Sequence, residues 1–333
     1  MTKLKDIATT AGVSISTVSK ALNNSREINK ETKTRIIRVA RELNYNMSAL
    51  HGETSVNKSQ TIGVICPEIN SNYYTQLISS IGRQITKKGY SYTIAVSDFD
   101  RKKEEELLEV FGGQNVGGII LITESTDIHS VVSGVKDIWH TPLLLIASED
   151  DVNDYDCIQI DDYYGVVTGV SYLIRLGHKR IAYIGDSLTE GRLRAYRDTL
   201  EKHNLTVDES LIRTAEQRFE KGGYQSMLSL LKGNLHPTAV FAAYDDMAIG
   251  AMRAITEMGH GVPEDISVIG MDDVFVSPYL SRALTTVSNP IKEMAMVSIS
   301  ILTRKIEDSK FTVVQNVVLK PSLIIRETTA ELN

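Results

Sequence analysis

Two short stretches of this chain carry side chains at spacings that could do chemistry. The first is Ser14-Ile15-Ser16-Thr17-Val18-Ser19-Lys20, which crowds four hydroxyls and an amine into seven residues. Wound into a helix, hydroxyl and ammonium groups of this kind donate to phosphate oxygens and to base edges in the major groove of DNA. The second is Gly185-Asp186-Ser187-Leu188-Thr189, where a serine follows an apolar run and precedes a helical pattern. A serine on a strand-to-helix turn sits where a nucleophile sits, but it needs a histidine base and an oxyanion donor before it attacks an ester. A polar turn beside a cleft uses the same five residues without catalysis.

The elements around the first stretch hold it in place. Leu4, Ile7, Ala8 and Ala11 recur at helical spacing and form one apolar stripe. Gly12 stops that helix as a C-cap glycine does, and Ser14 is placed to N-cap the next. On the second helix Val18, Ala21 and Leu22 point inward, leaving Ile15, Ser16 and Lys20 on the outward face. Asn29 is placed to N-cap a third helix whose buried stripe is Ile36, Val39, Ala40 and Leu43. Helix, glycine turn, helix is the pattern of a helix-turn-helix. A surface helical hairpin with no ligand shows it too, and charge separates the two readings. Residues 1–60 hold ten Lys/Arg against five Asp/Glu, a net +5; the whole chain is −6, which leaves −11 for residues 61–333. A small cationic head on an acidic body suits phosphate binding.

With 333 residues, 42% of them hydrophobic, the chain exceeds one typical domain and can bury a large core. From Asn46 to Thr61 it turns polar and loses periodicity, which marks a connector. Beyond, short apolar runs at 92–96, 118–122, 143–146 and 157–160 are followed by a second series at 181–185, 239–242 and 267–270. Amphipathic stretches at 74–88, 102–111, 163–176 and 247–258 lie between them. This alternation predicts parallel strands buried on both faces. Two α/β lobes in tandem would place a ligand crevice between their carboxyl edges. Cys66 and Cys157 are isolated, without metal-ligand or redox spacing, and are expected to be reduced structural thiols. The N-terminus lacks the apolar core of a signal peptide and no run is long enough to span a bilayer, so a soluble, cytoplasmic protein is expected. Neither a metal nor a cofactor is expected.

Eight motifs occur in a telling order: Lys5-Asp6-Ile7-Ala8, Gly12-Val13-Ser14 with Ser16-Thr17-Val18-Ser19, Leu43-Asn44-Tyr45, and Thr61-Ile62-Gly63-Val64 come first. Leu176-Gly177-His178-Lys179-Arg180-Ile181-Ala182, Asp245-Asp246-Met247-Ala248-Ile249-Gly250, Val262-Pro263-Glu264-Asp265-Ile266-Ser267-Val268 and Leu284-Thr285-Thr286-Val287 follow. Together they make the chain resemble, over its whole length, the lactose-repressor (LacI/GalR) family of bacterial transcription regulators. The resemblance implies an α/β fold with a small all-α helix-turn-helix head at 1–45, a hinge at 46–60 and a two-lobed, periplasmic-binding-protein-like body at 61–333. Within that body the N-subdomain would take about 61–160 and 289–319, and the C-subdomain about 161–288 and 320–333. It also implies a repressor that binds pseudo-palindromic double-stranded operator DNA as a homodimer, under control of a sugar or sugar derivative in the crevice. The chain ends soon after a strand at 323–326, without the family's tetramer-building heptad helix, so a dimer is expected.

In the resembled family the positions of Ile15, Ser16 and Lys20 read base edges, and those of Lys3, Ser14, Thr17, Ser19, Asn23 and Asn29 contact the DNA backbone. Relatives most often carry Arg at the position of Lys20; a lysine lacks the two-pronged guanidinium geometry. The hinge departs furthest from the pattern. The family's proline is missing, Thr54 stands where a leucine would wedge into the minor groove, and Gly52 opposes helix formation by about 1 kcal/mol. Either Leu50 takes the wedge in a shifted register or the operator is bent less.

Effector contacts are implied for Asn72, Tyr73 and Tyr74 after the first body strand, for Arg192 and Asp272 as a charged pair, and for Tyr244. An aromatic platform with paired opposite charges suits a polyhydroxylated ring. Arg218 lies where some relatives place an aromatic that covers the effector. Its charge needs an internal acid such as Asp272 or Glu220, or else an anionic ligand, which slightly favours an acidic or phosphorylated sugar over a neutral one; alternatively it points to solvent.

Two other readings share parts of the pattern. A solute-binding protein without a transcriptional role would keep the two-lobed body, but the attached helix-turn-helix and the absence of a signal peptide count against it. A GDSL-type esterase would use Ser187, yet such enzymes place the serine block early, followed by Gly-x-Asn-Asp and a late Asp-x-x-His. Here Asp137-Ile138-Trp139-His140 precedes the serine and no Gly-x-Asn-Asp occurs, so the chain is not expected to be an enzyme.

Overall fold

The computed structural model describes residues 4–22, 28–43, 60–114, 116–125, 128, 130–132, 141–147, 154–233 and 235–332. Lys3, Asn23, Leu50, Thr54 and the Asp137–His140 block lie outside them. The chain divides into two compact units, Met1–Lys58 and Ser59–Asn333.

The first unit holds three helices, α1 (Leu4–Ala11), α2 (Ile15–Leu22) and α3 (Lys30–Glu42). Ile7, Ala8, Ala11, Val18, Ala21, Ile36, Val39 and Ala40 form its core, and Leu4, Leu22 and Leu43 pack half-buried against it. The turn between α1 and α2 closes by local chemistry. Gly12 takes φ +64°, and the amides of Gly12 and Val13 return to the carbonyls of Thr9 (3.4 Å) and Ala8 (3.0 Å), a Schellman closure that favours glycine. Ser14 Oγ then accepts the Thr17 amide at 3.0 Å, and Asn29 Oδ1 accepts the Thr32 amide at 2.8 Å, so each caps its helix.

The second unit contains two sheets. Strands β1 (Thr61–Cys66), β2 (Ser91–Val96), β3 (Gly118–Thr123), β4 (Leu143–Ala147), β5 (Asp156–Ile160) and β11 (Asn316–Leu319) form the first, in the order β11-β5-β4-β3-β1-β2, with every pair parallel. The second sheet runs β12-β10-β9-β8-β6-β7. It uses β6 (Ile181–Asp186), β7 (Ile212–Ala215), β8 (Ala239–Ala242), β9 (Ser267–Met271), β10 (Thr285–Ser288) and β12 (Ser322–Ile324), and only the β10–β12 pair is antiparallel. Each sheet with its helices is one lobe. The chain crosses between lobes three times: after β5, after β10, and between β11 and β12.

Helices α4 (Asn72–Lys87) and α10 (Ile291–Glu307) cover one face of the first sheet, and α5 (Arg101–Gly113) covers the other. On the second sheet, α6 (Asp162–Arg175) and α7 (Glu190–Lys202) pack on one face, α8 (Phe219–Lys232) and α9 (Asp245–Glu257) on the other. A Cβ on Gly250 would stand 1.9 Å from the Glu220 carbonyl oxygen, and one on Gly223 2.0 Å from that of Met247, so α8 and α9 touch backbone to backbone.

Most of the apolar runs are strands buried on both faces. β2 differs: it is an edge strand, and Tyr92 and Ile94 are 40% and 41% exposed. An edge strand has a neighbour on one side only, and here its outer residues are not covered. Both cysteines are free and buried, and burial pushes the Cys66 thiol up to about 11 and the Cys157 thiol up to about 12, which keeps them protonated. Among the described residues no helix is long and apolar enough to cross a membrane.

Candidate nucleic-acid interface and ligand crevice

On α2 the exposed face carries Ile15 (48% exposed), Ser16 and Lys20, with Thr17 and Ser19 half-buried beside it. Ser14 Oγ and Thr17 Oγ1 share one hydrogen bond at 2.8 Å. One of the two hydroxyl hydrogens is used there, which leaves the other for an outside acceptor. The capping oxygen of Asn29 is likewise used, while its amide hydrogens can donate elsewhere. The helix thus offers an apolar contact, a hydroxyl and an ammonium group side by side, flanked by donors suited to phosphate.

In the body, the carboxyl ends of both sheets open on one crevice with a cavity of about 780 Å³. That volume suits a small-molecule ligand. Tyr73 and Tyr74 enter it from the first turn of α4, whose start Ser71 caps by accepting the Tyr74 amide at 3.2 Å. Their rings meet edge-on at 5.1 Å, and the Tyr74 hydroxyl donates to Glu124 Oε1 at 2.7 Å. Burial raises both phenols well above their ordinary values, so they are neutral donors.

From the opposite lobe, Arg192 on α7 donates through Nε to Asp162 Oδ2 at 2.8 Å and through Nη1 to the Ala243 carbonyl at 2.5 Å. Its Nη1 lies 4.0 Å from Asp272 Oδ1, an ion pair without a direct hydrogen bond, and its guanidinium sits 5.1 Å from the Tyr244 ring. Asn289 Nδ2 donates to the same Asp272 oxygen at 2.9 Å. Burial pushes the Asp272 carboxyl well above the carboxylate range against the opposing pull of Arg192. The backbone there is strained: Asp272 has φ +113° and Asp273 φ +54°, a region that residues with a Cβ rarely occupy.

Asp245 holds that strained turn in place. Its carboxylate accepts from the Val274 amide (3.0 Å), Ser277 Oγ (2.6 Å) and Thr286 Oγ1 (2.5 Å). As the first residue of α9 it would be expected to cap that helix, yet its side chain is committed to the β9–β10 connection instead.

Arg218 immediately precedes α8. It donates through Nε to Asp186 Oδ2 at 3.1 Å and through Nη1 to Glu68 Oε1 at 3.0 Å, with the Phe99 and Phe219 rings each 4.7 Å away and Tyr244 at 5.6 Å. Its acids are therefore Glu68 and Asp186, not Asp272 or Glu220, and it does not point to solvent. Glu68 lies across the crevice in the other lobe, a contact that local sequence does not announce.

Tyr73, Tyr74, Arg192, Arg218, Tyr244 and Asp272 thus line one cavity. Asn72 does not; its amide donates to Asp246 Oδ1 at 2.6 Å and ties the lobes together. Residues that sequence reasoning missed are Glu124, Asp162, Asp246 and Phe219 on the wall, with Glu68, Phe99 and Asp186 behind it. Glu124 follows directly on the carboxyl end of β3 and Asp162 lies two residues past that of β5, and that position was the available signal. Ser187 reaches the cavity, but its neighbours serve the turn: Asp186 Oδ1 accepts the Leu188 amide at 2.9 Å and Thr189 Oγ1 accepts the Asp186 amide at 3.0 Å. Among the described residues no histidine lines this cavity to act as its base.

A family model described as bacterial regulatory proteins, lacI family, matches residues 3–48, and one described as a periplasmic binding protein-like domain matches residues 170–329. The HTH-type transcriptional regulator DegA of Bacillus subtilis (strain 168) is 32% identical over 100% of this chain and 99% of that protein. The ribose operon repressor of Escherichia coli (strain K12) is 31% identical over 92% of this chain and 93% of that protein. A crystal structure of the lac repressor dimer bound to operator and the anti-inducer ONPF superposes with a TM-score of 0.74 at 27% identity, covering 99% of each chain.

Proposed function

Because this chain belongs to the lacI family of bacterial regulatory proteins, we propose that it is a transcriptional repressor whose operator affinity is set by a small molecule held between the two lobes of its body. It is a DNA-binding regulator, as its relatives are, and not an enzyme. The observation that carries the reading is the pairing of two sites in one chain: an exposed recognition face on α2 and a polar crevice in the body.

Ile15, Ser16 and Lys20 read base edges in the major groove, while Ser14, Thr17, Ser19 and Asn29, together with Lys3 and Asn23, fix the register on phosphates. Residues 1–45 form the head, 46–60 the hinge and 61–333 the effector-binding body, with Leu50 or Thr54 as the hinge residue that meets the minor groove. The likeness to the lac repressor dimer bound to operator supports a homodimer on a two-fold site, each head taking one half-site. A protein that works on chromosomal DNA belongs in the cytoplasm.

The crevice suits a polyhydroxylated ring. Tyr73 and Tyr244 offer apolar faces, Arg192 donates, and Asp162 and Asp272 accept. The relative named for the ribose operon supports a sugar-type effector. An acidic or phosphorylated sugar loses its rationale, because Glu68 and Asp186 already neutralise Arg218. Effector and operator are linked: whatever factor the effector applies to DNA affinity, DNA applies to effector affinity.

The test is to select operator sequences from random DNA with the purified protein and titrate sugars against the selected duplex by fluorescence anisotropy. Selective binding that a sugar shifts supports the reading; sequence-independent binding that no sugar alters would overturn it.

A further inference from the structure

The crevice wall has more carboxylates than cations, and the arrangement is uneven in a specific way. Arg192 serves both Asp162 and Asp272, and Arg218 serves both Glu68 and Asp186. These two guanidinium groups face four carboxylates; Arg194 and Arg197 also line the cavity, from α7 with Glu190, Asp198 and Glu201, so the lining carries four arginines against seven acids. Glu124 and Asp246 stand on the same wall with a phenol hydroxyl and an amide as donors, from Tyr74 and Asn72.

Beside Arg192, two acceptor atoms receive no hydrogen bond from the protein. Asp162 Oδ1 is buried without a partner, although its other oxygen holds Arg192. Asp272, whose side chain is 95% buried, uses only Oδ1, for Asn289 and Arg192, and its Oδ2 is left over on the cavity wall. At these two carboxyls donors are missing, and a positive charge placed there would be well stabilised.

Building on the sugar-type effector reading, we propose that the effector carries a protonated amine, as an amino sugar does, and that Asp162 and Asp272 receive it. A neutral hydroxyl can satisfy one acceptor, but it leaves the excess negative charge buried. An ammonium group brings three donors and one positive charge to the same place. Burial raises the carboxyls of Asp272, Asp246 and Glu68, and a bound ammonium would draw them back toward the ionised form. An anionic sugar meets the opposite situation at Asp162 and Asp272, since its charge would join two carboxylates whose shared cation, Arg192, is already committed.

Calorimetric titration of the full chain against matched series decides the matter: glucose, glucosamine and glucuronate, and their galactose counterparts. The amino sugar should bind about tenfold or more tightly than its neutral parent, and the uronate more weakly than either. That preference should shrink at high salt and disappear in Asp162→Asn, with Glu124→Gln as a second isosteric variant that lowers the wall's charge without touching Arg192. Equal or tighter binding of the neutral sugar or the uronate overturns the amine inference and leaves the sugar-type reading standing. Binding of no member of either series overturns both.

Discussion

Arg218 in one lobe stands 3.0 Å from Glu68 in the other, while its Nε holds Asp186 of its own lobe at 3.1 Å. An ion triad therefore joins the two walls of the crevice. The three side chains are 22%, 12% and 2% exposed, so solvent screens them poorly. The triad sits where the lobes must separate if the crevice opens, and three rings shield it.

Replacing Arg218 with alanine leaves two carboxylates buried without their cation and should destabilise the body by roughly 2–4 kcal/mol. Burial already raises the Glu68 carboxyl, and Arg218 opposes that rise. Without the arginine the folded-state value climbs further above the unfolded one. The penalty is then full at neutral pH and above, and fades as pH falls toward the ordinary carboxylate range. Urea unfolding of wild type and variant between pH 5 and pH 8 should show the gap widening with pH; a constant gap would speak against the triad.

Lys20→Ala should weaken binding to the selected operator by about 1–3 kcal/mol and relax preference at one base pair. Lys3→Ala should instead weaken all duplexes alike and flatten the dependence on salt. Anisotropy titrations across several salt concentrations distinguish the two, and an identical sequence-independent loss from both would mean that the reading face is misplaced.

At Ser14, capping and DNA contact can be separated. Ser14→Ala removes the oxygen that accepts the Thr17 amide and should cost the head about 1 kcal/mol. Ser14→Asp keeps a good cap and should hold head stability near wild type, yet its charge should repel phosphate and lower DNA affinity by about tenfold or more. Thermal unfolding with parallel DNA titration checks both arms.

A buried acid predicts a pH dependence of the body. Glu104 is 2% exposed; burial pushes its carboxyl up to about 7, against hydrogen bonds from Thr123 (3.0 Å) and Ser97 (3.4 Å). An acid whose folded value is raised favours folding while protonated, so stability falls as pH climbs from the unfolded value through about 7. Glu104→Gln removes this dependence. Relative to wild type it should gain roughly 2 kcal/mol between pH 5 and pH 8 in denaturant titrations.

Local chemistry made much of this architecture readable. Gly12, Ser14 and Asn29 act on amides within five residues of themselves, so a short window of sequence contains the whole interaction. The long Val/Ile/Leu runs are legible because a strand covered on both faces has no polar alternation. Strand β10 escaped that criterion: Thr285 and Thr286 are fully buried, their hydroxyls matched by Thr329 and Asp245. Partners distant in sequence were also hidden. Arg218 finds Glu68 150 residues away, and Asn72 finds Asp246 174 residues away. No periodicity encodes such pairings, so the wall residues that depend on them emerged only from the folded chain.

The three passages of chain between lobes also bear on how the protein comes to be made. Asp156 at the start of β5 accepts the amide of Gln315, 159 residues further on, and β11 then pairs with β5. The first lobe therefore lacks an edge strand and the α10 face of its core until the last part of the chain leaves the ribosome. The second lobe lies between these pieces in the sequence and can form most of its sheet earlier. A nascent chain stalled before residue 291 would expose the apolar surface that α10 covers, an invitation to chaperones and to aggregation. Such late, long-range closure also predicts slow folding for a chain of this size. Synthesis order would then leave both lobes waiting for an edge strand, β11 or β12, with the first lobe also waiting for the helix that covers its core.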